Sequence, residues 1–247
     1  MTFIRPDVTR GRFHQTAPEV DIRSGSTART DVFNLVQAAQ VRLMSGDSSG
    51  ALAAAGRALR IDGSSAQAHS LYAQALDALG RERESGVHHR RAAELMPDDG
   101  AMLNTYGIWL CSTGKPGEAL PWFDKAAAAP GYATPDAAVA NAADCAARAG
   151  QLDRAARDAR RVLAEAPVNP VALMAMARVK RALGERLEAR AFIERRLDSA
   201  PADREALLLA SQIEQELGDR AAAERYVRRI RAEFPRTSNS AETGGDP

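Results

Sequence analysis

Aromatic side chains are scarce in this 247-residue chain, at 5% of its residues, and cysteine is scarcer, at two. So few rings exclude a core built on large aromatic clusters, and two cysteines exclude a disulfide-dense scaffold or a thiolate metal cluster. Long apolar runs are missing, for none approaches the roughly 20 residues that cross a bilayer. A secretory leader is missing too, since Met1 is followed at once by TFIRPDVTRGR, with no apolar h-region. Neither sign of charge dominates: the formal net charge is +1, which leaves no global field to draw in nucleic acid or an acidic membrane. No glycine-rich phosphate loop follows a strand, because no strands are legible, and no serine or cysteine stands with a histidine and an acid in a nucleophile order. These absences predict a protein without enzymatic activity, cofactor or metal site. What remains is 45% hydrophobic and 26% charged residues, rich in alanine, a folded helical composition rather than a disordered one.

Leu103 to Ala127, LNTYGIWLCSTGKPGEALPWFDKAA, reads as two amphipathic helices about a Lys/Pro/Gly turn, with Ala119, Phe123 and Ala126 on one stripe. A helix pair of about 34 residues cannot bury that stripe alone, so neighbouring copies must cover it. The copies can be counted. Glycines fall at Gly46, Gly80, Gly114, Gly150, Gly184 and Gly218, at intervals of 34, 34, 36, 34 and 34. Five residues after each glycine stands a small residue (Ala51, Ser85, Ala119, Ala155, Ala189, Ala223), and seven before it another (Ala39, Ala73, Gly107, Ala143, Ala177, Ser211). Small side chains at both positions let paired helices approach closely where they cross. A helix stop follows seventeen residues after each glycine: Gly63, Pro97, Gly131, Pro167, Pro201 and Pro235. The spacing resembles that of tetratricopeptide (TPR) repeats and predicts an all-α superhelical solenoid of six helix-turn-helix repeats, at 32–65, 66–99, 100–135, 136–169, 170–203 and 204–237.

Residues 1–30, with Pro6, Gly11, Pro18 and Gly25 and no helical period, read as an extended N-terminal tether or a start-site remnant without a role; residues 238–247 read as a disordered polar tail. The third repeat is longer by two residues, placed in the connector Ala129 to Pro135, where Gly131 and two prolines force a loop. Tyr132 at its tip either caps the hairpin or stays exposed for a partner.

Within these repeats LNTYGIWLCSTGKPGEALPWFDKA, the PGY loop, AAVANAADCAARAGQLDRAARDARRVL (Ala137 to Leu163) and AEAPVNPVALMAMARVKRALGERLEARAFIERRL (Ala164 to Leu197) resemble the PilF/PilW family of type IV pilus biogenesis and stability proteins. The Asn104-Thr105-Tyr106-Gly107 start, the lengthened third connector and the Asn141 to Cys145 segment carry the likeness beyond generic TPR positions. The resemblance implies a periplasmic, outer-membrane-anchored lipoprotein, a pilotin that helps the PilQ-like pilus secretin localise or multimerise, or that serves another pilus assembly protein. That family carries a signal peptide and a lipid-modified cysteine ahead of the tether. Neither stands in this sequence, so a start placed just downstream of that cysteine is expected, with membrane contact only through the missing anchor. The alternative is a generic TPR adaptor or secretion-system scaffold in cytoplasm or periplasm. A chaperone-type carboxylate clamp is excluded, because Val36 and Gln40 stand where Lys and Asn would hold the charge. A monomer is expected.

In TPR stacks the first helices line the concave side, and with the glycine as position 15, positions 2, 5, 9, 12 and 13 point into the groove. For the first repeat these are Phe33, Val36, Gln40, Leu43 and Met44; the third contributes Asn104 and Ile108, and the fifth Val171, Met174, Arg178 and Arg181. The groove thus grades from apolar to charged, and the first-repeat set marks the expected partner contact, unless the tether folds back over it. The neighbours His88 and His89 point about 100° apart and cannot share a metal from one helix face, so solvated or packed histidines are expected there. Arginine clusters at Arg157, Arg160 and Arg161 and at Arg225, Arg228, Arg229 and Arg231 alternate with acids and read as ion-paired, solvated faces, without nucleic-acid binding. Cys111 and Cys145, at positions 12 and 10 of successive repeats, lie about 160° apart on a helical wheel, so one faces the following repeat and the other the preceding one. A disulfide between them is expected, with a pair of small buried thiols as the alternative, and it would fit an oxidising compartment.

Overall fold

The structure of the protein is a computed structural model that describes residues 22–235, with side chains from residue 27. Among the described residues it forms helices alone: α1 (Ile22–Met44), α2 (Ser48–Ile61), α3 (Ala66–Ala78), α4 (Glu82–Leu95), α5 (Gly100–Ser112), α6 (Pro116–Ala128), α7 (Pro135–Arg148), α8 (Leu152–Glu165), α9 (Pro170–Ala182), α10 (Arg186–Ser199), α11 (Arg204–Leu217) and α12 (Arg220–Glu233). The ends follow from local chemistry. Asp47, Ser65, Asp99, Asn169, Asp203 and Asp219 each turn a side-chain oxygen onto the free N–H groups of the helix that follows. Pro116, Pro135 and Pro170 open α6, α7 and α9, where no N–H is needed. Each repeat glycine takes the left-handed conformation, with φ between +73° and +86°, which turns the chain from the first helix of a pair into the second.

Sequential helices pack as antiparallel pairs, and the main contacts between non-sequential helices run α1 to α3, α5 to α7, α7 to α9 and α9 to α11. Odd-numbered helices therefore line the tighter, concave side. The small residues chosen by period are the crossing points: Ala39, Ala73, Ala143 and Ala177 on the first helices and Ala51, Ser85, Ala119, Ala155 and Ala189 on the second are all fully buried. At Gly107 the crossing leaves no room for a side chain, for a Cβ there would stand 2.7 Å from the Phe123 ring, which fills the space and is itself buried. One continuous core runs from Ala93 through Val179, and smaller separate clusters hold the two ends.

One boundary differs from the sequence expectation. Residues 22–30, read above as extended tether, belong to α1. No proline follows Pro18 until Pro97, so nothing stops a helix nucleated in the first repeat from propagating backwards through Ser, Thr and Gly. The rest of the tether and the tail lie outside the described residues. Tyr132 folds inward: its ring packs over the start of α5, where a Cβ on Gly100 would come within 2.4 Å of it.

Candidate functional site

Four concave helices, α5, α7, α9 and α11, enclose an open cavity of about 260 Å³. Its apolar wall is Ile108, 44% exposed, with Val171 and Met174. Cys111 and Cys145 form a disulfide that joins α5 to α7 at the edge of this space, with Cα atoms 5.9 Å apart, inside the range that a disulfide spans. Beside it the Asn141 amide donates to the Asn104 carboxamide oxygen at 3.0 Å. Two linked carboxamides keep a free donor and acceptor between them, the complement of a peptide main chain.

The charged wall is a closed ring. Arg148 donates to Asp144 at 2.8 Å and to Glu205 at 2.6 Å, while Arg178 donates to the same two carboxylates at 2.8 Å and 2.6 Å. Burial disfavours the charge on Arg148, but Asp144 and Glu205 outweigh it and hold its pKa above the ordinary arginine value. Arg181 is likewise engaged, by Glu216 at 2.7 Å. The groove wall therefore carries both signs in balance, and none of these arginines is free to seize an anion.

The sequence-derived set is divided by the structure. Ile108, Met174 and Asn104 converge at the cavity or its edge, and Arg178 and Arg181 lie in the ion-paired wall. Phe33 and Met44 stand 61% and 81% exposed on α1, with Gln40 exposed between them and Leu43 half-buried. Val36 is corrected: it is 5% exposed and packs on Ala58 and Ala68, because position 5 of a first helix faces the first helix of the next repeat. The expected apolar patch on α1 is thereby broken into separate exposed side chains. Asn141, Asp144 and Arg148 were absent from that set; counting positions through the fourth repeat reaches Asp144 and Arg148, at 9 and 13, but not Asn141.

The histidines also pair in a way adjacent spacing does not reveal. His69 on α3 and His88 on α4 approach Nδ1 to Nδ1 at 2.8 Å, and Tyr72 lies 4.6 Å from the His88 ring. His89, buried, meets Asp77 at 2.6 Å. Burial, then His69 and His89, hold the His88 pKa below its ordinary value. Among the described residues no group of three metal-capable side chains exists, and no helix is long and apolar enough to cross a membrane.

No protein-family model and no curated protein matches this chain. Solved structures do. PilW, a widely conserved type IV pilus biogenesis factor, superposes with a TM-score of 0.68 at 29% identity, over 84% of this chain and 95% of that one. PilF of Pseudomonas aeruginosa gives 0.64 at 20% identity, over 85% and 95%, and YrrB, a TPR protein with an unusual peptide-binding site, 0.59 at 20%, over 81% and 100%. The chain is a TPR solenoid. Its neighbours are TPR scaffold proteins, a class that is generally non-enzymatic, and they support a protein-interaction scaffold as its coarse function.

Proposed function

We propose that this scaffold is a pilotin-like assembly factor of a type IV pilus, acting at the periplasmic face of the outer membrane and taking a segment of the secretin, or of another pilus assembly protein, into the groove of α5 to α11. The observation that supports this reading is the 29% identity to the PilW biogenesis factor over nearly the whole of both chains. The groove adds the chemistry: Ile108 and Val171 offer apolar surface over the buried Met174, Asn104 and Asn141 offer main-chain hydrogen bonds, and the self-paired charge ring disfavours a charged side chain at the same place. A disulfide fits an oxidising periplasm. Deleting the gene in its source organism should remove surface pili and detergent-resistant secretin multimers. Wild-type protein should restore both, and Ile108→Asp, folded by circular dichroism, should restore neither. Normal pili and multimers in the deletion strain, or fractionation of the protein with the cytoplasm, would turn the reading toward a general TPR adaptor.

A further inference from the structure

The last interface of the stack is open. Ten residues before each repeat glycine stand Val36, Ser70, Ala140 and Met174, at 5%, 6%, 1% and 6% exposure, with Asn104 half-buried; in the sixth repeat the same position is Leu208, at 48%. Nine residues after the glycine stand Ala55, His89, Phe123, Ala159 and Ile193, none above 3% exposed, and twelve after it Ala58, Ala92, Ala126, Val162 and Arg196, none above 7%. Their sixth-repeat counterparts, Val227 and Ile230, are only half-buried. The clusters show what covers the earlier copies: Val36 and Ala58 pack on Ala68 of α3, and Met174 and Ile193 pack with Ala206, Leu209 and Ala210 of α11. After α12 no described helix takes that place.

Charge states what would. α12 carries five arginines against two glutamates. Among the described residues its ion pairs are Arg228 with Glu224 at 3.7 Å and Arg229 with Glu233 at 2.7 Å, which leaves Arg220, Arg225 and Arg231 without an ion pair. Arg220, Arg228 and Arg231, with Gln215 and the single acid Glu224, rim a groove of about 630 Å³ floored by Ala223 and Val227. One repeat earlier, arginines of α10 hold acids of the helix that covers them. Arg190 donates to the buried Glu214 at 2.8 Å, Arg196 donates to Asp203 at 2.5 Å, and Arg186, the counterpart of Arg220, lies 3.8 Å from Glu216.

We infer that the open face of α11 and α12 docks an acidic amphipathic helix of a partner protein, its apolar stripe over Leu208, Val227 and Ile230 and its carboxylates against Arg220, Arg228 and Arg231. A second copy fits poorly. Pairing α12 with α12 opposes arginines to arginines, and α1, the other terminal helix, carries three arginines to one aspartate. The chain's own residues 236–247, RTSNSAETGGDP, hold no large apolar side chain to cover the exposed Leu208 and the half-buried Val227 and Ile230.

The probe is a fluorescein-labelled, lactam-stapled peptide of the α11 sequence, residues 203–218 (DREALLLASQIEQELG), which already fills the equivalent face of α10. Titration with the full chain should give saturable anisotropy. Val227→Asp combined with Ile230→Asp should weaken binding at least tenfold, Arg220→Glu with Arg231→Glu at least threefold, and Ile108→Asp, in the concave groove, should leave it unchanged, which separates this site from the pilus-segment reading. If the apolar double variant does not fold, the arginine pair, exposed on the surface, carries the test alone. No binding by the wild type, or binding unchanged by the arginine pair, overturns the proposal. So does a tenfold gain on removal of residues 236–247, which assigns the face to the chain's own tail, or a wild-type dimer in light scattering that the arginine pair abolishes, which assigns it to a second copy.

Discussion

At the scale of residues, glycines in neighbouring helices do different work. A Cβ at Gly107 would meet the Phe123 ring at 2.7 Å, whereas at Gly117 of α6 nothing lies within 4 Å. Gly107→Ala should therefore lose about 1–3 kcal/mol through overpacking. Gly117→Ala, in the first turn of α6, should gain up to about 1 kcal/mol by reducing the conformational freedom of the unfolded chain. Urea denaturation measures both, and equal signs would refute the distinction. The period picked out Gly107 as a crossing point because smallness there is written in one residue. The His69 and His88 contact is not written that way, since it needs the crossing of α3 and α4 to bring residues nineteen apart in sequence together. Its consequence is a pH dependence. The folded His88 pKa is lowered by burial and by His69 and His89, with Glu84 opposing, so the unfolded chain takes up a proton there before the folded one does. Stability is then full above the ordinary histidine value near 6.5 and falls as pH drops below it. Wild type should melt lower at acidic pH than at neutral pH, and His88→Gln should flatten that fall; an unchanged slope in the variant would place the effect elsewhere.

At the scale of elements, the disulfide ties first helices of adjacent repeats rather than the two helices of one hairpin. It closes a loop of 34 residues, so constraining the unfolded chain is worth about 3 to 4 kcal/mol in the loop-entropy model. Reduction, or Cys145→Ser, should lower stability by roughly that much in denaturant, and hydrogen exchange should quicken in α5 to α7 before it does in α9 to α12. Uniform quickening would mean that the bond acts on the whole stack. Which helices exist was legible from the glycine, small-residue and stop positions, because each is a local requirement repeated six times. Where α1 begins was not, because its extension from the first repeat back to Ile22 depends on propagation from an already packed helix, and no cap residue announces it. The burial of Val36 was misread for a related reason. Position 5 looks concave on a single helix but faces the next repeat once helices stack, as the low exposure of Ser70 and Met174 at the same position shows.

At the scale of the whole molecule, stability is a chain of neighbour contacts, and the chain is uneven. The core from Ala93 to Val179 is continuous, whereas the first and last repeats rest on separate small clusters. Repeat arrays of this kind unfold from their ends, since an end repeat loses one interface and a central one two. Amide exchange should therefore be slowest in α5 to α8 and fastest in α1, α2 and α12; fastest exchange at the centre would contradict the nearest-neighbour picture. The ring of Arg148, Asp144, Arg178 and Glu205 complicates it in one direction, because its members sit on α7, α9 and α11 and so couple three successive repeats through charge rather than through apolar packing. Removing one acid leaves two arginines facing each other with half their partners. Asp144→Ala should then quicken exchange in α9 and α11 as well as in α7, and high salt should shrink the difference from wild type. A response confined to α7 would show that the ring is local decoration, and that only the hydrophobic interfaces carry stability from repeat to repeat.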